Sequence, residues 1–449
     1  MSISLVILAA GQGTRMKSDL PKVLHKVAHA PLLVHAMRAA ESISPGRTVI
    51  VAGHGAEQVS AAARAYDEEA QVVLQEEQNG TGHAVQCAEA ALDGATGDVI
   101  VLYGDTPFIR PETLQEMIAA RRAHDVVVLG FEAADPGRYG RLVMQGDMLE
   151  RIVEFKDATV KERAITLCNS GVICAARDTL FDLLAAVTND NASGEYYLTD
   201  IIEIARARGL SATAVTCDEA ETMGVNSRSD LAAAEAAFQA RARAEALDNG
   251  ITLPAPETVH FAYDTYIGRD AEIEQMVVFG PGVTVESGAR IRAFSHLEGC
   301  HVSRGAIVGP YARLRPGAEL SEDVHVGNFV EIKNATLHEG AKANHLTYIG
   351  DAEVGARTNV GAGTITCNYD GVFKHKTTIG ADAFIGSSTM LVAPVTLGDH
   401  AMTGSGSVIT DNVPDGAMAL ARAKQVNKPG LARKLMDRLR ARKAAQKGE

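Results

Sequence analysis

An apolar residue recurs at every sixth position through much of the second half of the chain. The positions in phase are Val302, Val308, Leu314, Leu320, Val326 and Ile332, followed later by Ile379, Ile385, Leu391 and Leu397. A period of six fits neither an α-helix nor an alternating strand. It is typical of a parallel β-helix, in which each hexapeptide repeat forms one side of a triangular coil. The sequence therefore predicts a left-handed β-helix within residues 250–449, with insertions near residues 337–344 and 366–376.

The first 228 residues have a different pattern, in which short β-rich runs alternate with helical stretches. Strands are predicted at residues 49–53, 71–74, 98–105 and 126–129, and helices at residues 32–41 and 111–122. Such alternation predicts an α/β domain with a Rossmann-like, mixed and mainly parallel sheet covered by helices. Ligands of such sheets bind at the carboxyl ends of the strands. A long helix at residues 229–249 is predicted to link the two domains, and a basic helix is predicted at residues 428–446.

Charge and cysteine content narrow the class of protein. The formal net charge of -13 argues against nucleic acid or an anionic membrane as a partner, although ten of the Lys and Arg residues lie in the basic tail after residue 420. The six cysteines form no Cys-x-x-Cys pair, which favours free thiols over disulfides or zinc. The apolar run at residues 3–10 lacks a basic leader, and no segment is as long as a membrane span. We therefore expect a cytoplasmic protein without a nucleic-acid or membrane partner.

A glycine loop follows the first predicted strand. Residues 6–17 read VILAAGQGTRMK, and Pro21 and Lys22 come shortly after. Backbone amides of such a turn form a concavity that binds anions, and Arg15 and Lys22 add positive charge where phosphates would lie. The loop is neither a Walker loop nor a dinucleotide fingerprint, because the required Lys-Ser/Thr and third glycine are missing. It predicts a nucleotide-phosphate site, with an ordinary strand-to-helix turn as the alternative.

Three further positions carry candidate chemistry. Asp105 closes a predicted strand, where a carboxylate can hold Mg²⁺ against phosphates, although capping is the commoner role of such an aspartate. Gln75 and residues 78–81 offer amide and backbone groups suited to the edge of a nucleobase. His345 lies in a predicted loop near Tyr and Asn, and is either a general base or simply exposed. The histidines of the second half show no compact zinc-ligand spacing.

The N-terminal motifs occur in a characteristic order: residues 8–22, Gln75, residues 80–81, 103–105, 139–141, 153–156, 169–171, 194–197 and 224–226. In this order they resemble the uridylyltransferase half of the bifunctional N-acetylglucosamine-1-phosphate uridylyltransferase/glucosamine-1-phosphate N-acetyltransferase family. The resemblance implies that Asp105 and Asn226 hold Mg²⁺, and that Arg15 and Lys22 stabilise the triphosphate of UTP. Gln75 and Gly80 would read uracil, and the amino sugar would lie against Gly140, Glu154 and Asn169. The other implied substrate-binding residues are Leu8, Ala9, Ala10, Gly11, Thr81, Tyr103 and Gly104.

The C-terminal motifs at residues 309–316, 345–348 and 361–370 are similar to the acetyltransferase half of the same family. The resemblance implies that His345 takes a proton from the amine of glucosamine-1-phosphate, which then attacks acetyl-CoA. The residues implied to hold the sugar phosphate are Arg315, Lys333, Tyr348 and Asn359. Those implied to contact acetyl-CoA are Ala362, Asn368, Tyr369, Ser387, Ser405 and Arg422. Asn368 would also orient the amine.

The family resemblance further implies a homotrimer that assembles through the faces of the β-helix, with acetyl-transfer sites between subunits. The product of the two implied reactions would be UDP-N-acetylglucosamine, a precursor of peptidoglycan and lipopolysaccharide. One alternative is a single-activity sugar-nucleotide pyrophosphorylase whose β-helix is structural or regulatory. A second is a β-helix scaffold with a vestigial nucleotide-binding domain. The first alternative is opposed by the set His345, Asn368 and Lys333. The second is opposed by the set Arg15, Lys22, Asp105 and Asn226.

Overall fold

The computed structural model describes residues 2–446, so Met1 and residues 447–449 of the predicted basic tail lie outside the described residues. The chain divides into two compact units. The first runs up to Ala244 and includes Phe261–Tyr263, and the second contains Glu245–His260 and the residues from Asp264 onward. The functional domain limits expected at residues 228 and 249 stay a prediction.

The first unit is a mixed β-sheet flanked by helices. Its strands are β1 (Ile3–Ala9), β2 (Lys26–Val27), β3 (Ala30–Pro31), β4 (Arg47–Ala52), β5 (Gln71–Leu74), β6 (Asp98–Tyr103), β7 (Val126–Glu132), β8 (Arg141–Gln145), β9 (Met148–Val153), β10 (Leu167–Ala176) and β11 (Ala212–Cys217). Its helices are α1 (Leu32–Ala39), α2 (Ala56–Tyr66), α3 (Thr81–Gln86), α4 (Pro111–Arg121), α5 (Val160–Arg163), α6 (Arg177–Leu184), α7 (Ile201–Ala207) and α8 (Arg228–Asp248), which continues into the second unit. The predicted α/β fold is confirmed, and the predicted strands and helices match these bounds within three residues.

The order of the strands places the candidate site. The main sheet has the order β11-β7-β10-β6-β1-β4-β5, and β8 and β9 form an antiparallel extension from β10. All seven residues of β1 are buried, because the sheet is covered on both faces. Strands β1 and β6 are parallel, with Leu8 opposite Tyr103. The glycine loop after β1 and Asp105 after β6 therefore emerge at the same carboxyl edge of the sheet.

The second unit is a parallel β-helix of short strands. They are β12 (Tyr266–Ile267), β13 (Glu272–Ile273), β14 (Val278–Phe279), β15 (Thr284–Val285), β16 (Arg290–Ile291), β17 (His296–Leu297), β18 (Cys300–Val302), β19 (Ile307–Val308), β20 (Arg313–Leu314), β21 (Ala318–Leu320), β22 (His325–Asn328), β23 (Glu331–Leu337), β24 (Lys342–His345), β25 (Tyr348–Val354), β26 (Asn359–Val360), β27 (Ile365–Cys367), β28 (Thr377–Ile379), β29 (Phe384–Ile385), β30 (Met390–Val392), β31 (Val395–Leu397), β32 (Met402–Thr403), β33 (Val408–Ile409) and β34 (Met418–Ala419). A last helix, α9 (Leu431–Gln446), follows them. Pairing is parallel from coil to coil, for example Ile291 with Val308 and Val308 with Val326.

The period of six is confirmed, because all ten positions in phase are buried. The prediction of an insertion near residues 337–344 is wrong. There the spacing shortens by one residue, so that Leu337 is buried five positions after Ile332 and the coil continues without a protruding loop. The insertion at residues 366–376 is real, and it contains a hairpin closed by a bridge between Tyr369 and Lys374. A one-residue change of period therefore resembles an insertion when only the sequence is read.

All six cysteines are free, as expected from their spacing. Within residues 2–446 no helix combines the length and the apolar character that a bilayer crossing requires.

Candidate active sites

The glycine loop closes over Lys22. Gly13 has a φ of 60°, and a Cβ atom there would lie 2.6 Å from the Cβ of Lys22, so only glycine allows this approach. A Cβ on Gly11, in contrast, would meet no heavy atom within 4 Å, which leaves open space beside the loop. The side-chain amide of Gln78 donates to the carbonyl of Ala10 at 2.8 Å. The loop is thus held from both sides while its outer surface stays accessible to a ligand.

Lys22 joins two of the predicted magnesium ligands. Its ammonium group donates to Asp105 Oδ2 and, at 3.0 Å, to Asn226 Oδ1. Asn226 is held by the start of α8, where the carboxylate of Asp230 accepts the backbone N–H groups of Asn226 and Ser227 at 3.0 and 2.9 Å. Three distant parts of the sequence therefore meet at one point, as the sequence prediction requires.

The chemistry of this point suits a divalent cation. A carboxylate oxygen of Asp105 and an amide oxygen of Asn226 converge on the same ammonium nitrogen. Oxygen ligands are the ones that Mg²⁺ prefers, and it commonly takes one or two protein ligands and completes its shell with phosphate oxygens and water. Within the described residues no group of three or more His, Cys, Asp or Glu could hold a metal. The residues therefore fit a cation that is shared with a nucleotide, not a closed protein cage.

Arg228 is a member of this site that sequence reasoning missed. Its Nε donates to the carbonyl of Met16 at 3.2 Å, and its Nη1 lies 3.2 Å from Nδ1 of His25. Arg228 thereby connects the segments before and after Lys22 to the start of α8, which lies just after Asn226. Its position two residues after Asn226 was the only signal in the sequence. The side chain of Arg15 is exposed and makes no ion pair or hydrogen bond within the described part of the chain.

The proposed base pocket begins just after β5, in the segment whose Gln78 contacts the glycine loop. Gln75 is buried just after β5, and its side-chain Nε2 donates to the carbonyl of Gly80 at 3.1 Å and lies 3.2 Å from Nδ1 of His83. Since the amide nitrogen is engaged, the amide oxygen is the atom left to accept a hydrogen bond. Gly80 has a φ of 107°, and a Cβ there would lie 2.6 Å from the carbonyl oxygen of Tyr196. The segment of Tyr196 therefore forms the back of the pocket.

The three predicted sugar-binding residues also come together. A Cβ on Gly140 would lie 3.3 Å from Glu154 Oε1 and 3.5 Å from the Cβ of Asn169, and the N–H of Asn169 donates to the carbonyl of Gly140 at 2.9 Å. Burial raises the pKa of Glu154, against the opposing hydrogen bond from Thr199. Burial also raises the pKa of the neighbouring Asp200, to about 6, with help from nearby carboxylates. The pocket can thus offer both a backbone carbonyl and a carboxyl group to hydroxyl groups of a sugar.

Tyr103 connects the base and sugar pockets. A Cβ atom on Gly171 would lie 2.5 Å from Cε2 of Tyr103, so the tyrosine ring packs directly against this glycine. Burial raises the pKa of Tyr103, and the charges of Asp105 and Glu154 act in the same direction, whereas a hydrogen bond with Thr81 opposes them. The phenol therefore stays neutral and serves as a packing surface between the two pockets.

Gly80→Ala is expected to impair this pocket more than an ordinary glycine substitution would. Both Gly80 and Gly94 have positive φ, but a Cβ at Gly94 meets no heavy atom within 4 Å. Gly94→Ala should therefore lower the free energy of unfolding by about 1 kcal/mol, and Gly80→Ala by roughly 2 to 3 kcal/mol because it adds a clash with Tyr196. Thermal denaturation of the two variants measures the effects. Equal losses in the two variants would contradict the crowding argument.

In the second unit several predicted residues form one column along a corner of the β-helix. The backbone N–H groups of Leu346, Gly363, Ser388 and Gly406 donate to the carbonyls of Asn328, His345, Ala362 and Ser387, at 3.1, 3.2, 2.7 and 2.8 Å. His345, Ala362, Ser387 and Ser405 therefore stack one coil above the other. Arg422 extends the column, since its guanidinium donates to the carbonyl of Ser405 at 2.6 Å.

A second group collects positive charge. Arg315 pairs with Glu331 at 2.9 Å, and Lys333 lies against Lys374. The adjacent positive charge of Lys374 lowers the pKa of Lys333, burial and the charge of Arg315 act in the same direction, and Asp351 opposes them. Adjacent cations of this kind are disposed to bind an anion such as a phosphate. Lys374, which comes from the inserted hairpin, was missed by sequence reasoning.

Asn368 has its orientation set by a neighbour one coil away. Its amide nitrogen donates to Asp351 Oδ2, while Asn334 donates to the other carboxylate oxygen at 2.6 Å. Burial raises the pKa of Asp351, but the hydrogen bonds from Asn334 and Asn368, together with the charges of Lys333 and Lys374, leave the pKa below its usual value. The oxygen of the Asn368 amide is thereby left for a ligand. The structure shows no side-chain hydrogen bond that joins Asn359, Tyr369 or Ser387 to these groups, within residues 2–446.

The first unit has the architecture of a nucleotidyltransferase, and the second has that of a hexapeptide transferase. Two family models agree, the MobA-like NTP transferase domain at residues 5–203 and the bacterial transferase hexapeptide (six repeats) at residues 376–411. A solved structure of UDP-glucose pyrophosphorylase complexed with UDP-glucose is 20% identical, with a TM-score of 0.45, and covers 54% of this chain and 100% of that chain.

Curated relatives match over the full length. Bifunctional protein GlmU of Ruegeria sp. (strain TM1040) is 72% identical over 446 residues, which cover 99% of each chain. Bifunctional protein GlmU of Jannaschia sp. (strain CCS1) is 65% identical over 444 residues, which cover 99% of this chain and 98% of that one. The chain belongs to the family of bifunctional GlmU proteins. It is a transferase with a uridylyltransferase and an acetyltransferase activity and a role in cell-wall biogenesis, and the single-activity alternative is not favoured.

Proposed function

We propose that residues 250–449 acetylate glucosamine-1-phosphate with acetyl-CoA, and that residues 1–228 then transfer UMP from UTP to the N-acetylglucosamine-1-phosphate so formed. Residues 229–249 would link the two domains. The observation that carries the uridylyl transfer is the convergence of Lys22, Asp105 and Asn226 beside the glycine loop. We place both reactions in the cytoplasm, where six free cysteines are expected.

In uridylyl transfer the chain would act mainly by positioning and by neutralising charge. Gln75 and Gly80 hold the base, and Gly140, Glu154 and Asn169 hold the sugar so that its phosphate oxygen attacks the α-phosphorus in line. The bond to pyrophosphate breaks as the new bond forms. Arg15 and Lys22 stabilise the charge on the triphosphate. Asp105 and Asn226 would hold Mg²⁺, which, when bound, neutralises negative charge on the phosphates.

In acetyl transfer the corner column would receive the acyl donor. At this corner the earlier coils carry Phe294, Tyr311, Phe329 and Leu346, which are aromatic or apolar. The later coils carry Gly363, Ser388 and Gly406 at the equivalent positions. This change from bulky to small side chains leaves room above His345 for an elongated molecule such as the arm of coenzyme A. Ala362, Ser387, Ser405 and Arg422 would contact that molecule, with Tyr369 of the inserted hairpin beside it.

The acetyl-transfer step follows from this placement. Arg315, Lys333, Tyr348 and Asn359 would hold the sugar phosphate, and Asn368 would direct the amine. His345 takes a proton from the amine as its nitrogen attacks the thioester carbonyl. The tetrahedral intermediate then collapses, the carbon–sulfur bond breaks, and the sulfur takes the proton held by His345, so that coenzyme A leaves as the thiol. Backbone N–H groups near Ala362 would face the developing oxyanion.

A split assay on the purified wild type tests the proposal. Thiol release from acetyl-CoA is measured with glucosamine-1-phosphate, and pyrophosphate release from UTP is measured with N-acetylglucosamine-1-phosphate. Both activities are expected. If only pyrophosphate is released, the β-helix does not perform acetyl transfer. A chelator that leaves pyrophosphate release unchanged contradicts the proposed cation.

We also propose that the β-helix assembles as a homotrimer. Its support is an aromatic ladder, defined as Phe294, Tyr311 and Phe329, which occupies the corner just below His345. Neighbouring ring centroids lie 4.9 and 5.3 Å apart, and the three residues are 47, 47 and 56% exposed. An exposed stack of this kind is typical of a surface that another protein covers. A second copy of the chain is the partner that the proposal names.

Substitution in the aromatic ladder is expected to weaken the assembly. Tyr311→Glu places a charge in the middle of the stack, so we expect the particle mass to fall from three times the chain mass of 47.4 kDa toward a single chain. Light scattering after size-exclusion chromatography measures it. Tyr266→Glu is the matched control, because Tyr266 is 62% exposed and lies outside the ladder. A Tyr311→Glu protein that keeps the wild-type mass would show that the ladder is not the interface.

A further inference from the structure

Asn328 lies directly below the proposed general base. Strands β22 and β24 end at Asn328 and His345, and the two residues are paired in register one coil apart. The Nδ1 atom of His345 lies 2.7 Å from Oδ1 of Asn328. This distance is typical of a well-formed hydrogen bond. The acetyl-transfer mechanism proposed above assigns no role to this contact of the His345 ring.

The contact decides which ring nitrogen carries the proton. A neutral imidazole has one N–H donor and one lone pair, and an amide oxygen can only accept. A hydrogen bond to Oδ1 therefore requires the proton on Nδ1 of His345, which leaves the lone pair on Nε2. A general base needs that lone pair on the nitrogen that faces the substrate. With the opposite tautomer, Nε2 would be a donor and could not take a proton from the amine.

The backbone around the pair is fixed by the β-helix. The N–H of Leu346 donates to the carbonyl of Asn328 at 3.1 Å, and the hydroxyl of Thr347 donates to the carbonyl of His345 at 2.7 Å. Both side chains therefore start from rigid positions on adjacent coils. This is the arrangement by which a partner on one ring nitrogen sets the tautomer and the orientation of a functional histidine.

We propose that Asn328 is a positioning residue for acetyl transfer, because its amide oxygen holds His345 in the Nδ1–H tautomer and directs Nε2 outward. This rests on the acetyl transfer proposed above. None of the roles that the proposal gives to other residues depends on Asn328. Asn328 and His345 are paired because they lie 17 residues apart, which is the length of this coil.

The tautomer can be read without substrate by solid-state NMR of the full chain with ¹⁵N-labelled histidine rings. The His345 signals are assigned by their loss in His345→Gln. The wild type should show a protonated Nδ1 and an unprotonated Nε2. Asn328→Asp keeps an acceptor and should keep this pattern, whereas Asn328→Leu removes the acceptor and should shift the ring toward Nε2–H. Asn412→Leu is the control, since Asn412 Oδ1 accepts the N–H of Thr396 far from His345.

Kinetics give the second readout. Asn328→Leu should lower kcat for acetyl transfer about tenfold to a hundredfold and leave the KM for glucosamine-1-phosphate nearly unchanged. Asn328→Asp should restore most of kcat. Pyrophosphate release by the same preparations should stay at the wild-type level and reports that the chain is folded. If Asn328→Leu does not fold, Asn328→Ala provides the same comparison without added bulk.

Two results overturn the inference. One is a wild-type ring with the proton on Nε2, and the other is an acceptor-free variant that keeps both the Nδ1–H tautomer and the wild-type kcat. Failure of the proposed function is distinct, because it is seen as a wild type that releases no thiol. The positioning role would then fall with the reaction, even if the ring carries its proton on Nδ1.

Discussion

His345→Ala is expected to reduce acetyl transfer by about a hundredfold to ten-thousandfold, which is the usual contribution of a positioned general base. His345 is exposed and lies at the end of β24, and among residues 2–446 its ring is held through one nitrogen only. Its removal should therefore leave the β-helix folded and leave intact the binding of the sugar phosphate that we propose for Arg315 and Lys333. The loss should appear in kcat, measured as thiol release from acetyl-CoA.

Two comparisons make the result specific. His296→Ala, at an exposed position on β17, should retain wild-type acetyl transfer. Pyrophosphate release by the His345→Ala protein should also stay at the wild-type level, because the residues proposed for that reaction lie in the other unit. If His345→Ala keeps more than about a tenth of the wild-type kcat, it is not the general base.

Asp105→Asn is expected to impair pyrophosphate release and to leave acetyl transfer intact, which is the reverse of the effect of His345→Ala. It replaces a carboxylate by a neutral amide next to Lys22 and Asn226, and so removes the only negative charge of the proposed cation site. We expect pyrophosphate release to fall by roughly a hundredfold to a thousandfold, in line with the loss of one strong electrostatic contact to a transition state. Acetyl transfer should be unaffected.

Binding of Mn²⁺ in the presence of UTP, followed by electron paramagnetic resonance, separates loss of the cation from loss of the fold. Asp105→Asn should weaken that binding. Asp93→Asn, at an exposed turn of the same unit, should not. Unchanged Mn²⁺ affinity in Asp105→Asn would remove Asp105 from the metal site, whatever happens to the rate.

Only some residues of the candidate sites could be predicted from the sequence. Lys22, Asp105 and Asn226 are far apart in the chain, yet each stood in a motif, and the structure brings them together. Arg228 and Lys374 carried no motif that could be read. Asn328 and Asp351 were missed because their roles depend on the residue 17 positions later, His345 and Asn368. A search at one-coil spacing would have found both pairs.

The sequence by itself determined the two architectures, because each rests on a local rule. Burial of one apolar residue in six defines a coil, and alternation of strand and helix defines a covered sheet. Only the tertiary structure decided which polar atoms meet. The length of each coil sets which residues stack, so the shortened repeat at Leu337 keeps the coil in register where the sequence suggested a loop. The contact of His345 depends on that coil register. The contacts of Lys22 depend instead on the strand order and register of the sheet in the first unit. Both are properties of the whole fold and not of a local pattern.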